Sequence, residues 1–313
     1  MISGTVVSQE FVIGIDGGGT YCRAMLQDAD GNILGTGDAG PANIMTNAPL
    51  ALASIVRACE NAIAHATRRV KHEIALTDVS VVAGLAGANI PKAKSSFLSL
   101  SHPFAHLDVI SDLHAACLGA HKGADGVLVI CGTGSAGTVY RNGRFTDKGG
   151  YGLTVGDNAS AAWLGQSAVK YALLAFDNIE EKSVLFEKLL SHLSVNSPQQ
   201  LIQVLSGFTA DAYGKLAPIV ITSADDGCEK SRGLLSEGAG YLIALTKALL
   251  HESEDKTVDN KKAALPICMV GGLAHIYRPF LEDAFSRRLC NPHSDAQQGA
   301  IDFLRNNQCV ELA

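Results

Sequence analysis

Two stretches of the chain repeat one pattern. A run of β-branched and apolar residues meets a glycine-rich bend carrying Thr or Ser, and a second such run follows. The first stretch is FVIGIDGGGTYCRAML, from Phe11 to Leu26. The turn sequence Asp28-Ala29-Asp30-Gly31-Asn32 comes next, then a third apolar run from Ile33 to Thr36, so strands joined as hairpins are predicted. The period changes after Ala48. Leu52, Ile55, Val56, Cys59 and Ile63 recur at helical spacing and predict the buried stripe of a helix reaching Arg69. Val79 to Ala83 reads as a strand running into Gly84-Leu85-Ala86-Gly87, Pro91 to Leu100 as a helix, and Leu107 to Ile110 as a strand. Ser111-Asp112 is a helix-start signal for a segment through His121.

The second stretch, VLVICGTGSAGTVY from Val127 to Tyr140, restarts the plan, and Arg141-Asn142-Gly143 supplies the next hairpin turn. Gly149-Gly150-Tyr151-Gly152 leads to Gly156-Asp157 and a predicted helix from Asn158 to Phe176. Further helices are predicted over 180–192, 198–204, 210–224 and 227–251, and the charged stretch from His251 to Lys262 reads as a solvated loop. Leu265 to Val270 is a buried strand ending at Gly271-Gly272, and a last helix runs from Gln297 to Asn306. The chain therefore reads as a duplicated α/β unit with mixed sheets covered by helices on both faces. The predicted domains are 1–122 and 123–313, with the last helix packing back on the first domain. Most glycine and acidic motifs fall at the carboxyl ends of strands, where such sheets bind ligands.

Composition narrows the class. At 313 residues the chain is long enough for two domains, each burying its own core. Hydrophobic residues make up 47% and charged ones 18%, which excludes a disordered chain. The net charge of -6 is mild and spread out, so no nucleic-acid partner is expected, although loop amides can still bind a small anion. No run approaches the ~20 apolar residues of a membrane span. The opening MISGTVVSQE lacks the basic start and apolar core of a signal peptide, so a cytoplasmic location without a membrane partner is expected. Cys22, Cys59, Cys117, Cys131, Cys228, Cys268, Cys290 and Cys309 are scattered and form no C-x-x-C pair, the pattern of small buried thiols. His72-Glu73 opens like a zinc-protease helix motif, but the second histidine is missing.

The sharpest local signal is Asp16-Gly17-Gly18-Gly19-Thr20. A strand-end carboxylate beside an amide-rich bend can hold a hydrated Mg²⁺ while the amides and the Thr20 hydroxyl hold a phosphate. The plainer reading is an ordinary turn with an Asx hydrogen bond. Gly132-Thr133-Gly134-Ser135 follows the same logic. Neither bend matches a Walker loop or a dinucleotide fingerprint. Asp112 reads equally as a helix N-cap and as a general base whose ionised form the helix N-terminus favours. Asp157, at what reads as an equivalent strand-to-helix corner, could orient sugar hydroxyls.

These residues carry a likeness that spans nearly the whole chain. Ile13–Thr20 (IGIDGGGT), Pro41–Ile44 (PANI), Ser111–Ala116 (SDLHAA), Gly132–Ser135 (GTGS), Gly149–Asp157 and Val270–Leu273 (VGGL) together resemble the sugar kinase, heat-shock protein 70 and actin superfamily. Within it the chain is similar to the N-acetylglucosamine and glucosamine kinases of the BadF/BadG/BcrA/BcrD ATPase family. The resemblance implies two ribonuclease H-like (actin-like ATPase) domains with an interdomain cleft. It implies a cytoplasmic, homodimeric enzyme that moves the γ-phosphoryl group of ATP to the 6-hydroxyl of an amino sugar, with Mg²⁺ as cofactor. Asp16 to Thr20 would hold the β- and γ-phosphates, with Asp16 reaching Mg²⁺ through water, and Gly132 to Ser135 would close over them. Asp112 would be the catalytic base. Asn43, Asp157 and Gly132 would join Asp112 at the sugar, and Gly271 and Gly272 would admit adenosine.

One departure stands out: kinases of this group often read Gly-Asp-Glu-Gly-Ser where this chain has Gly156-Asp157-Asn158-Ala159-Ser160. N-Acetylglucosamine is the favoured acceptor, with glucosamine as the alternative. A non-kinase ATPase that activates an iron–sulfur partner is disfavoured, because its clustered cysteines are missing. A sugar-sensing regulator without catalysis lacks a DNA-binding extension.

Overall fold

A computed structural model describes residues 10–67, 73–252 and 264–311. Arg69, His72, residues 1–9, the charged segment beyond Glu252 and the Cys309 side chain lie outside the described residues. The chain divides into two compact units, Met1–Asp125 with Pro292–Ala313, and Gly126–Asn291.

In the first unit β1 (Phe11–Gly17), β2 (Cys22–Asp28) and β3 (Ile33–Ala39) form an antiparallel meander. Helix α1 (Ala48–Thr67) then leads to β4 (Val79–Leu85), α2 (Pro91–Leu98) to β5 (His106–Ser111), and α3 (Asp112–His121) follows directly. The sheet order is β3-β2-β1-β4-β5, with β4 parallel to β1 and β5 parallel to β4. Strand side chains alternate between faces, and β1 uses both. Ile13 and Ile15 pack with Ile55, Ala58, Cys59 and Ala62 of α1. Gly14 turns toward the C-terminal helix (Ala296–Glu311), and a Cβ there would overlap the Gln297 carbonyl. The same helix meets α3 at two more glycines: a Cβ on Gly119 would overlap the Asp295 carbonyl, and one on Gly299 the Ala115 carbonyl. Bare backbone at these positions lets two helices and a strand pack at contact distance.

The second unit repeats this topology strand for strand. Strands β6 (Gly126–Cys131), β7 (Ser135–Arg141) and β8 (Arg144–Gly149) form the meander. Its helices are α4 (Ala161–Phe176), α5 (Val184–Leu193), α6 (Pro198–Leu205), α7 (Ala210–Gly214), α8 (Ala217–Asp225) and α9 (Glu229–Glu252). Then come β9 (Ile267–Val270), α10 (Ala274–Tyr277), α11 (Asp283–Ser286) and β10 (Leu289–Cys290). The order β10-β9-β6-β7-β8 sets β6 in the place of β1 and β9 in that of β4.

Several boundaries differ from the sequence pattern. The helix expected over 210–224 is two, because Pro218 lies in the first turn of α8 and has no N–H to continue the preceding ladder. Helix α4 begins at Ala161 rather than Asn158, since the Ser160 hydroxyl caps it by accepting the Trp163 N–H at 3.0 Å. Helix α5 begins at Val184 rather than Glu180, and α10, α11 and β10 had no predicted counterpart. Among the described residues no helix is long and apolar enough to cross a membrane.

Candidate functional site

At the end of β1 the chain bends through Gly18, whose N–H donates to the Tyr21 carbonyl at 2.9 Å. The bend is tied down on two sides. The Gly17 carbonyl accepts the Ala86 N–H at 2.8 Å, and the Gly18 carbonyl accepts the Ala42 N–H at 2.8 Å. Gly17 is required by this packing, since a Cβ there would lie 2.5 Å from Leu85 Cδ2 and 2.9 Å from Ala42 Cβ. Gly18 and Gly19 are not. The nearest neighbour of a Cβ at Gly18 would be the Tyr21 carbonyl at 3.8 Å, nothing lies within 4 Å of one at Gly19, and neither has a left-handed backbone. Thr20 is exposed beside them.

Asp16 faces Gly84 across the β1–β4 ladder, and Gly84 faces Ile110 across β4–β5, so Asp16, near the end of β1, and Asp112, directly after β5, stand at the carboxyl ends of two strands of one sheet. Gly84 makes room for the start of α3: a Cβ on it would be 2.5 Å from Ala115 Cβ and 3.7 Å from Asp112 Cα. Asp112 is not the cap of that helix. Ser111 takes the role, its hydroxyl accepting the His114 N–H at 3.1 Å, while Asp112 Oδ1 accepts the adjacent Leu113 N–H at 2.9 Å. Burial raises the Asp112 carboxyl above the usual carboxylate range, against the opposing pull of the Leu113 amide, its own amide and His114.

Asp16 is also raised, chiefly by burial; Arg23 pulls it down, and the negative charges of Asp112 and Asp295 push it further up. Asp295 escaped the sequence reading. It caps the C-terminal helix by accepting the Gln298 N–H at 3.0 Å, and the Asp-Ala-Gln-Gln run ahead of that helix was its available signal. Carboxylate oxygens that repel one another around Asp16 suit a hard cation such as Mg²⁺, which would relieve that repulsion.

Asn43, half-buried, accepts the N–H groups of Met45 at 3.0 Å and Thr46 at 3.3 Å on Oδ1. That interaction fixes the loop after β3 through the Oδ1 end of the amide.

In the second unit the β6–β7 bend is closed by the Gly132 N–H on the Gly134 carbonyl at 2.9 Å, and the Gly132 carbonyl accepts the Ala161 N–H at 2.8 Å. A Cβ on Gly132 would meet nothing within 4 Å. The Ser135 hydroxyl is committed to the Asn158 carbonyl at 2.6 Å, which leaves Thr133 as the exposed hydroxyl of the bend. Asp157 does not stand at a strand-to-helix corner. It lies eight residues past β8 in a loop, with left-handed backbone (φ 56°), and is 8% exposed. Its Oδ1 accepts the Gly152 N–H at 3.3 Å, and its Oδ2 sits where a Cβ on Gly134 would come within 2.8 Å. Burial raises its carboxyl, against the opposing bonds from the Gly152 and Ser135 amides.

After β9, Gly271 has φ 104° and no room for a Cβ, which would overlap the Cys131 carbonyl, so the fold itself requires glycine there. Gly272 has open space around it.

The chain belongs to the BadF/BadG/BcrA/BcrD ATPase family, whose sequence profile matches residues 13–300. It is 30% identical over 293 residues to a glucosamine kinase of Vibrio cholerae, an alignment covering 94% of this chain and 95% of the relative. It is 28% identical over 311 residues to an N-acetylmuramic acid/N-acetylglucosamine kinase of Clostridium acetobutylicum, covering 95% and 99%. A crystal structure assigned to an N-acetylglucosamine kinase from Chromobacterium violaceum superposes with a TM-score of 0.82 at 29% identity, covering 95% of this chain and all of that one. The fold is shared at 16% identity with a Thermus thermophilus ROK hexokinase, TM-score 0.55, covering 95% and 99%.

Proposed function

We propose that this chain is a cytoplasmic ATP-dependent hexosamine kinase that phosphorylates the 6-hydroxyl of N-acetylglucosamine. One observation carries the reading. A half-buried carboxylate, Asp112, not used as its helix's cap, shares a sheet edge with a bend whose glycines 18 and 19 have no packing reason to be glycine. In this reading the Gly17–Thr20 and Gly132–Ser135 bends hold the phosphates of ATP, and Gly272 leaves room for adenosine. Asn43, Gly132 and Asp157 contact the sugar.

Asp112 accepts the proton of the sugar 6-hydroxyl while that oxygen attacks the γ-phosphorus and the bond to ADP breaks. Its raised pKa brings the carboxylate closer to the proton affinity that a base needs near neutrality. Asp16 would reach Mg²⁺ through water, and the bound ion would offset charge on the phosphate oxygens. Seven described cysteines form no disulfide and six are buried, which supports a reducing compartment. A homodimer is the expected assembly.

The test is coupled ADP release with glucose, glucosamine, N-acetylglucosamine and N-acetylmannosamine offered in turn. N-Acetylglucosamine should give the highest kcat/KM. Equal ADP release with and without every sugar would replace the kinase with a non-kinase ATPase. A preference for glucosamine would select the second reading, which the Vibrio cholerae relative favours.

A further inference from the structure

The sheet of the second unit ends at β10, a two-residue edge strand. Its Cys290 stands opposite Cys268 of β9 in parallel register, and their sulfurs are 3.1 Å apart, close enough for one thiol to donate to the other. Both are reduced. Neighbouring strands lie about 4.8 Å apart, within the roughly 4.4–6.8 Å Cα separation that a disulfide spans, and the sulfurs need close by only about 1 Å to bond. The Cys290 thiol also donates to the Ile267 carbonyl at 3.4 Å, which holds it beside its neighbour. Access is asymmetric. Cys268 is fully buried, while Cys290 is partly exposed on the sheet edge.

We infer that Cys268 and Cys290 form a reversible dithiol–disulfide couple, an oxidation site in which Cys290 meets the oxidant and Cys268 resolves the product. With hydrogen peroxide as oxidant, the Cys290 thiolate attacks one peroxide oxygen, the O–O bond breaks, and hydroxide leaves behind a sulfenic acid. The Cys268 sulfur then attacks the Cys290 sulfur. The S–O bond breaks, and the departing hydroxyl takes the Cys268 proton as water. Two thiols thus lose two electrons and two protons, and peroxide becomes two waters. A small thiol reverses the step by exchange. The bond ties the edge strand to β9 and closes a loop containing the Gly271–Gly272 turn. In a reducing compartment such a bond is transient and sensing rather than structural. None of this depends on the kinase reading.

The experiment treats the full chain with hydrogen peroxide, blocks remaining thiols by alkylation, and maps peptides by mass spectrometry without reduction. The expected product is a Cys268–Cys290 linked peptide pair that has lost two hydrogens and is released by dithiothreitol. In Cys268→Ala the expected product is Cys290 trapped by dimedone as the sulfenic acid. Three results would each overturn the inference: Cys290 driven to the sulfinic acid with no cross-link, a cross-link from either residue to another cysteine, or both thiols still open to alkylation. The cross-link is read on the unsubstituted chain, so a variant that fails to fold leaves the test intact.

Discussion

The β1–β2 bend and the β6–β7 bend occupy the same place in the same sheet topology, yet they are finished differently. Around the first, Asp16, Asp112 and Asp295 act on one charge neighbourhood, with Arg23 opposing. Around the second, Asp157 is taken up by backbone amides and the Ser135 hydroxyl by a carbonyl. One bend keeps crowded negative charge next to uncrowded glycines; the other is satisfied internally and offers mainly backbone. The repeated topology supplies a bend in each unit but sets the clustered carboxylates beside the first. Burial raises Asp157 as well, so what sets the first bend apart is the mutual repulsion of Asp16 with Asp112 and Asp295.

The largest expected effect comes from neutralising one carboxylate of each unit in turn. Asp112→Asn should lower kcat by about 10²–10⁴-fold with nucleotide binding retained, whereas Asp157→Asn should act mainly on KM for the sugar. Equal loss of kcat in both would erase the contrast. Burial holds the Asp112 pKa above its unfolded value, so its contribution favours folding at low pH and is lost as pH rises through the folded value. At neutral pH the ionised side chain therefore costs stability, and Asp112→Asn should unfold at higher urea than the parent. For the parent enzyme, the acid limb of kcat/KM should lie above the ordinary carboxylate range, because the base must be ionised. A limb at the ordinary value would remove Asp112 from that role.

Next in size, Asp16→Asn should raise the Mg²⁺ concentration needed for half-maximal rate about 10–100-fold, and Asp157→Asn should leave it unchanged. A magnesium titration of the two variants decides the matter. Within each unit the glycines should then separate by cause. Gly17→Ala and Gly271→Ala should each cost about 1–3 kcal/mol in denaturant unfolding. Gly19→Ala and Gly272→Ala should stay within about 0.5 kcal/mol while raising KM for ATP; unchanged KM in both would disconnect those positions from the nucleotide. A last contrast lies at the cap, in stability alone. Ser111→Ala should cost about 1 kcal/mol, and a smaller loss than in Asp112→Ala would mean that the capping roles of the two residues had been reversed.

The hairpins and both bends were legible in the sequence because their signals are local: β-branched runs, turn dipeptides and clustered glycines. The stripe of α1 was legible for the same reason. What escaped depends on partners distant in sequence. Leu289 and Cys290 form a strand because β9 lies beside them, and two residues carry no period of their own. Asp295 belongs with Asp16 through the return of the last helix, and nothing near it says so. Ser111 and Asp112 are both good caps by type, so only geometry could show that Ser111 does the capping and Asp112 is left over. Gly14, Gly119 and Gly299 read as isolated glycines in a strand and two helices, and their meaning is the close approach they permit.

The helix that covers Gly14 and Gly119 is encoded after the whole second unit, although it completes the first. On the ribosome, β1 and α3 therefore emerge before the segment that covers them, with the intervening unit, continuous in sequence, made in between. The packing of the first unit is thus complete only once the last segment of the chain has been made. Loss of the last twenty or so residues (Pro292 onward) would strip the earliest-made sheet rather than the latest, and would remove Asp295 from the neighbourhood of Asp16 in the same stroke.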